Sequence, residues 1–213
     1  MANPTVEVYE SIKSKIHKGQ YSPSESLREQ DLSNHYGVSR STIKKCLLLL
    51  EKEGLVTIEM NKGAKVRSYS LEEVLEYLEL RASLEGFIIR RAVSAISEEQ
   101  VSKLEETLHL MKKHYDNNEL VNYSQFNQVF HQIIYDACPN RTAVDLTINL
   151  KNQMRKYNTK TILIPGRSSQ SYAEHSAIFE AIKSRDAELA EALMLRHVNS
   201  VRKIFQENYS LLF

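Results

Sequence analysis

Residues 27–67, LREQDLSNHYGVSRSTIKKCLLLLEKEGLVTIEMNKGAKVR, decide how this chain begins to fold. The pattern predicts a short helix from about Arg28 to Tyr36, after which Gly37 supplies the positive φ of a tight turn. Ser39 is placed to cap a second helix whose first turn carries Arg40, Ser41 and Lys44, and Glu53-Gly54 ends it. Two β runs follow, Leu55–Glu59 and Ala64–Arg67, joined by a turn containing Asn61-Lys62-Gly63. Helix, turn, helix and hairpin in that order make a winged helix-turn-helix. Such a module offers its second helix, N-terminus first, to the major groove of DNA.

Position sorts the chemistry of that second helix. At about 100° per residue, Ile43, Cys46, Leu47 and Leu50 share one stripe and face the core. Arg40, Ser41, Lys44 and Lys45 fall away from it. A guanidinium at 40 can fork onto guanine O6 and N7, while Ser41 and Lys44 suit phosphates or base edges. Lys62, at the tip of the wing, is placed for backbone phosphates or the minor groove. The plainer alternative is a set of solvated surface charges.

The chain has 213 residues, enough for one large or two modest domains, and its formal net charge is only +1. The charge is lopsided: residues 1–69 carry +3 and residues 70–213 carry −2. Affinity for DNA therefore belongs to the first part and a different task to the second. The only cysteines, Cys46 and Cys138, lie far apart, which suits reduced thiols in a cytosol better than a disulfide framework. No stretch approaches a membrane span and the N-terminus lacks a signal-like apolar core, so a cytoplasmic protein without a membrane partner is expected.

Val6, Tyr9, Ile12, Lys13 and Ile16 outline a first amphipathic helix, and Gly19 to Ser26 reads as a turn-rich link. The domain boundary falls at Ser68-Tyr69-Ser70, since Ser70 with Glu73 can form a capping box before the next helix, which separates a DNA-binding domain over 1–69 from a second domain over 70–213. From there the pattern is helical, over about 71–95, 98–117, 121–137, 140–163, 168–184 and 186–207, with breaks at Ser97, Asn117-Asn118, Pro139-Asn140, Pro165-Gly166 and Ser184–Asp186. The expected fold is mainly α: the winged module followed by an all-α bundle of six or seven helices.

Polar residues on apolar faces mark the second domain. His175 sits in the stripe of Tyr172, Ile178, Phe179 and Ile182, and His197 in that of Leu193, Met194, Val201 and Ile204. His131 lies at the edge of the stripe of Phe126, Phe130, Ile133 and Ile134, one turn after Asn127. His109 and His114 face outward. An imidazole on an apolar face is ordinarily a hydrogen-bonded core residue. Three of them on three helices open a second reading, in which they converge on a divalent cation, with Asn127 four residues before His131 able to join. Arg81 and Glu85 both fall inside the Val74, Leu78, Ala82, Ile89 stripe. They form either an intrahelical ion pair half-hidden at the bundle surface or a clamp in which Arg81 points into a cavity toward a carboxylate.

With these residues in view, the chain resembles the GntR family of bacterial transcription regulators, in its FadR-like branch with an FCD effector domain. In the first domain the resemblance rests on Leu27-Arg28-Glu29, Leu32-Ser33, Gly37-Val38-Ser39-Arg40-Ser41-Thr42, Leu47 and Glu53-Gly54-Leu55-Val56. In the second it rests on Arg81 with Leu84-Glu85, Asn127 with Phe130-His131, Asn140, Glu174-His175 and His197. It implies DNA contacts from Arg28, Gln30, Ser39, Arg40, Ser41, Thr42, Lys44, Lys45 and Lys62. It also implies a divalent metal, zinc or nickel, on Asn127, His131, His175 and His197, with Arg81 toward the effector. Asn127 departs from the usual Asp, leaving four neutral ligands that favour an anionic effector in the coordination sphere. Lys44 and Lys45 stand where Arg-Glu is usual, and Gln30 where Arg is frequent.

The function these features lead us to expect is that of a ligand-responsive repressor. It binds a palindromic double-stranded operator as a homodimer and is released when a small carboxylate or sugar acid enters the bundle. Two rivals stand beside it. One is a metal-dependent hydrolase fused to a DNA-binding domain, which needs a general base that Glu174, about 100° round its helix from His175, is badly placed to supply. The other is a bundle that only dimerises.

Overall fold

A computed structural model of the chain describes residues 4–59, 63–154 and 160–212. The chain separates into two compact units, one of residues 4–70 with Asn152–Met154, the other of residues 71–151 with residues 160–212.

The first unit holds α1 (Pro4–His17), β1 (Ser26–Leu27), α2 (Glu29–Tyr36), α3 (Arg40–Lys52), β2 (Val56–Glu59) and β3 (Gly63–Val66). The turn between α2 and α3 forms because Gly37 takes φ 65°, a conformation that costs glycine nothing. Ser39 then caps α3, its Oγ accepting the Thr42 amide at 3.2 Å. At the far end Gly54 lies at φ 71° and Leu55 N reaches back to Leu50 O, the geometry that closes a helix and turns the chain into β2. The buried face of α3 is Ile43, Cys46, Leu47 and Leu50, as its spacing predicts. These pack with Ile12, Ile16, Leu27, Leu32, Val56 and Val66 in one core.

The wing is antiparallel, with Val56 opposite Val66 and Ile58 opposite Ala64, and β1 completes a sheet of order β1-β3-β2. Strand β1 is absent from the periodicity, since two residues carry no alternation. It exists because Leu27 buries its side chain opposite Ala64. One face also shifts. Helix α1 buries Val8 with Ile12 and Ile16, and Val6 is 53% exposed, so the apolar stripe starts one turn-edge later than the spacing suggests.

The second unit is a bundle of six helices among the described residues: α4 (Leu71–Val93), α5 (Glu98–Asp116), α6 (Leu120–Ala137), α7 (Arg141–Gln153), α8 (Arg167–Lys183) and α9 (Ala187–Leu212). Helix α4 packs lengthwise on α9 and also touches α6, while α5 packs on α6 and α8, and α8 on α9. Helix α7 stops at Gln153 instead of running on to 163. The stretch from Lys160 to Arg167 is held by i→i−3 turns, in a region rich in β-branched Thr161, Ile162 and Ile164. The last helix runs beyond 207 to Leu212, through a non-helical Asn208 (φ −129°, ψ 23°) whose side-chain amide donates to Ile204 O. No helix among the described residues is long and apolar enough to cross a membrane. Cys46 and Cys138 are both free and buried.

Candidate functional site

Three helices each carry one histidine into the middle of the bundle: His131 from α6, His175 from α8 and His197 from α9. All three are buried, and one ring nitrogen of each lies within 4.8 Å of the others. The Nε2 atoms of His131 and His175 are 3.3 Å apart. Two metal–nitrogen bonds of about 2.0–2.1 Å at a tetrahedral angle set nearly that separation.

The opposite nitrogens explain why the rings point this way. His175 Nδ1 faces the carbonyl of Ser171 at 2.6 Å, so it is the protonated nitrogen and donates. His197 Nδ1 faces Glu174 Oε2 at 2.7 Å. Burial alone raises the Glu174 carboxyl, but His197 and Arg167 outweigh it and hold it down to about 2, so the oxygen accepts and the imidazole donates. His131 Nδ1 lies 3.2 Å from Glu85 Oε2, close enough for a strong electrostatic contact though not aligned as a hydrogen bond. Every ring thus has its Nδ1 against an oxygen, and one nitrogen of each lies close enough to those of the others to share a centre. Carboxylate or carbonyl behind imidazole is the arrangement that orients metal-ligating histidines.

Protonation agrees. Burial pushes His131 down to about 3, with Lys151 adding and Glu85 opposing. His175 is held well below its ordinary value by burial and by the other two imidazoles. Burial also lowers His197, against the pull of Glu174. Three neutral imidazoles with converging lone pairs fit a borderline-soft divalent cation. Asn127, one turn before His131 on α6, is half-buried, and its side chain forms no hydrogen bond or ion pair among the described residues.

Charge surrounds the three rings on two sides. On α4, Arg81 donates Nε to Glu85, and both are buried, which corrects the expectation of a pair half-hidden at the bundle surface. The terminal nitrogens of Arg81 make no hydrogen bond with a described residue, leaving that end of the fork available. Lys151 Nζ donates to the buried Tyr135 hydroxyl at 2.9 Å, and burial brings the ammonium down to about 8. On the other side Arg167 reaches Glu174 Oε2 at 2.8 Å. Two carboxylates against Arg81, Arg167 and Lys151 leave an excess of one positive charge before any cation is added. Such surroundings prefer an anion.

The spacing sets Glu174 about 100° round α8 from His175, away from the centre, yet Glu174 points inward to His197. Arg167, Ser171, Glu174 and Ile178 follow one another at four, three and four residues, a helical stripe that was readable beside the one through His175. Its two engagements stand behind the His197 ring, so it is not a free base on the open side of the centre. Tyr123 lies in the same neighbourhood, fully buried, its hydroxyl without a hydrogen-bond partner among the described residues. Of the outward histidines, His109 is exposed, whereas His114 is half-buried, stacked on Phe126 and bonded to Glu119.

In the first unit the expected DNA face is solvent-exposed at Arg28, Gln30, Ser39, Arg40, Ser41, Lys44 and Lys45. Arg40 is 65% exposed and leans on Glu29 of α2 at 3.3 Å. Gln30 bonds Asn34, and Thr42 is half-buried with its hydroxyl 2.9 Å from Ser39 Oγ, so Thr42 serves the cap first. Lys44 and Lys45 form no ion pair among the described residues. Lys62 lies outside the described residues.

Comparison with known proteins accounts for both halves. Residues 76–200 match the FCD domain family, and residues 4–66 match the family described as bacterial regulatory proteins, gntR family. The chain is 27% identical over 214 residues to the HTH-type transcriptional repressor RspR of Escherichia coli (strain K12), covering 97% of this chain and 94% of that one. It is 28% identical over 195 residues to the HTH-type transcriptional regulator YdhC of Bacillus subtilis (strain 168), covering 91% and 87%. Among solved structures, E. coli McbR/YncC shares the fold with a TM-score of 0.78 at 17% identity, over 97% of this chain and 99% of that one. The winged helix-turn-helix and the helical domain after it coincide with the two matched stretches: the chain belongs to the GntR family of helix-turn-helix transcription regulators and carries an FCD effector-binding domain.

Proposed function

We propose that this regulator is a metal-dependent sensor of a small carboxylate that represses transcription from a palindromic operator. His131, His175 and His197 would hold the cation, zinc or nickel, with Asn127 as a fourth neutral ligand. The ion would supply a Lewis-acidic docking point for a carboxylate or sugar acid. The supporting observation is the orientation of the three imidazoles, each backed at Nδ1 by Glu85, Ser171 or Glu174 with its other nitrogen turned inward. The unengaged end of the Arg81 fork would meet the effector's carboxylate, and the surplus positive charge favours an anion over a neutral sugar.

Arg40 forks onto a base edge in this reading, Ser41, Lys44, Lys45 and Lys62 track the phosphate backbone, and Ser39 and Arg28 set the helix ends. Pairing of two copies places two recognition helices on two half-sites. Effector binding then shifts the population toward an arrangement with lower operator affinity, by no more than its differential affinity for the two states. The relatives named as repressors support the direction of control.

The test combines metal analysis of the purified protein, thermal shifts with a panel of small carboxylates, and a DNA-shift assay on the palindrome upstream of its own coding sequence. We expect stoichiometric metal, a shift with at least one acid that needs the metal, and release of DNA by the same acid. Failure to retain zinc or nickel after reconstitution would remove the sensing centre. Retained DNA binding in that case would leave a repressor whose bundle only pairs subunits.

A further inference from the structure

We infer that the outward stripe of α4 is the surface on which two copies of this chain pair, through an antiparallel α4–α4 contact with its two-fold axis between Ser83 and Leu84. The inference rests on the proposed dimer and adds which face makes it. Helix α4 packs one side on the bundle, burying Val74, Leu78, Arg81, Ala82, Glu85, Ile88, Ile89 and Ala92. The opposite side should be polar in a helix that ends at solvent. Instead Leu80 is 53% and Phe87 40% exposed, with Leu84 half-buried between them.

Glu76, Leu80, Ser83, Leu84, Phe87 and Arg91 all fall within an arc of about 100° on the helix, on the side facing away from the core. The sequence of this arc is its own complement. Leu80 and Phe87 are equidistant from the point between Ser83 and Leu84, and so are Glu76 and Arg91. Turning a second copy over that point sets Leu80 against Phe87 and Glu76 against Arg91, each contact occurring twice, as an isologous interface demands.

The charges along the edge of the stripe next to α9 are already used. Glu79 pairs with Arg202 of α9 at 3.2 Å, and Arg90 with Glu191 of α9 at 2.9 Å. Glu76 and Arg91, the two that the symmetry matches, are exposed and form no ion pair among the described residues. A partner of unrelated sequence has no reason to find acid and base placed symmetrically about paired apolar anchors; a second copy does. One helix pair forms the apolar centre of such an interface, and flanking surface extends it toward the roughly 800 Å² per partner of a stable complex.

The experiment measures the mass of the full-length protein in solution, by light scattering and sedimentation, for the wild type and for Leu80→Glu, Phe87→Glu, Glu76→Arg, Arg91→Glu and the double charge exchange. Circular dichroism checks that the exposed-site variants stay folded. The wild type should be a dimer, and each apolar-to-Glu change should weaken dimerisation about 100-fold or more. Glu76→Arg and Arg91→Glu should each weaken it several-fold, and the double exchange should restore it. Folded dimers of unchanged affinity in both Leu80→Glu and Phe87→Glu overturn this face while leaving the dimer standing. A wild type that stays monomeric at micromolar concentration overturns the face and the dimer together, and assigns the stripe to another partner.

Discussion

His197 donates its Nδ1 hydrogen to Glu174 Oε2 over 2.7 Å, joining α9 to α8, while Arg167 holds the same oxygen at 2.8 Å. A neutral imidazole oriented by a carboxylate in this way is a more basic and better aimed ligand than a free one. Replacing Glu174 with Gln keeps the volume and removes the charge behind the ring. We expect Glu174→Gln to fold and to bind zinc or nickel about 10–100-fold more weakly in a competition titration. Wild-type affinity in that variant would show that the His197 ring is held by packing alone.

Arg81 offers its terminal nitrogens while its Nε stays with Glu85. Arg81→Lys can keep the ion pair but loses the second parallel donor. Affinity for a carboxylate effector should fall by about 1–3 kcal/mol with metal content unchanged. A carboxylate that binds both forms equally does not meet this residue.

On the DNA face, Arg40 and the two lysines should separate by their response to sequence. Arg40→Ala should cost about 1–3 kcal/mol of specific binding and relax discrimination at one base. Lys44→Ala or Lys45→Ala should weaken binding evenly across sequences and lower the salt slope by about 1. Glu29→Ala breaks only an exposed pair worth about 1 kcal/mol or less, so its operator preference should match the wild type.

The residues that carried the sequence argument are those whose direction follows from local geometry. Ile43, Cys46, Leu47 and Leu50 face the core of the first unit because a two-sided helix admits one stripe, and His175 and His197 face inward for the same reason. Glu174 escaped that logic. Helix α8 buries a broad arc, from Arg167 and Ser171 round to Phe179, because α5 and α9 pack on different sides of it. One stripe therefore misses half of what points inward. Partners across helices were out of reach for a different cause: the contact of Glu85 with His131 spans two helices whose rotation only tertiary packing sets. Strand β1 is a pairing event without a pattern, so only the folded sheet reveals it.

Lys13 is the polar member of the α1 stripe, and its partner lies forty residues away. Its ammonium reaches Glu53 Oε2 at 2.7 Å, and the Tyr9 hydroxyl donates to the other oxygen of the same carboxylate at the end of α3. Burial on its own would raise the Glu53 carboxyl, but the hydrogen bonds from Lys13 and Tyr9 prevail and hold it below the ordinary 4.5. A carboxyl lowered in the folded state contributes stability above its unfolded value and loses it as pH falls through the folded one. Glu53→Gln should therefore be less stable than wild type at pH 7, by about 1 kcal/mol or less because the site is partly exposed. The gap should close below about pH 4.5 as the wild-type carboxylate takes up its proton. Chemical denaturation of both proteins across that range measures it. A difference that stays constant from pH 7 into the acid range would mean that the anchor between α1 and α3 depends on shape and hydrogen bonding and owes nothing to the charge of Glu53.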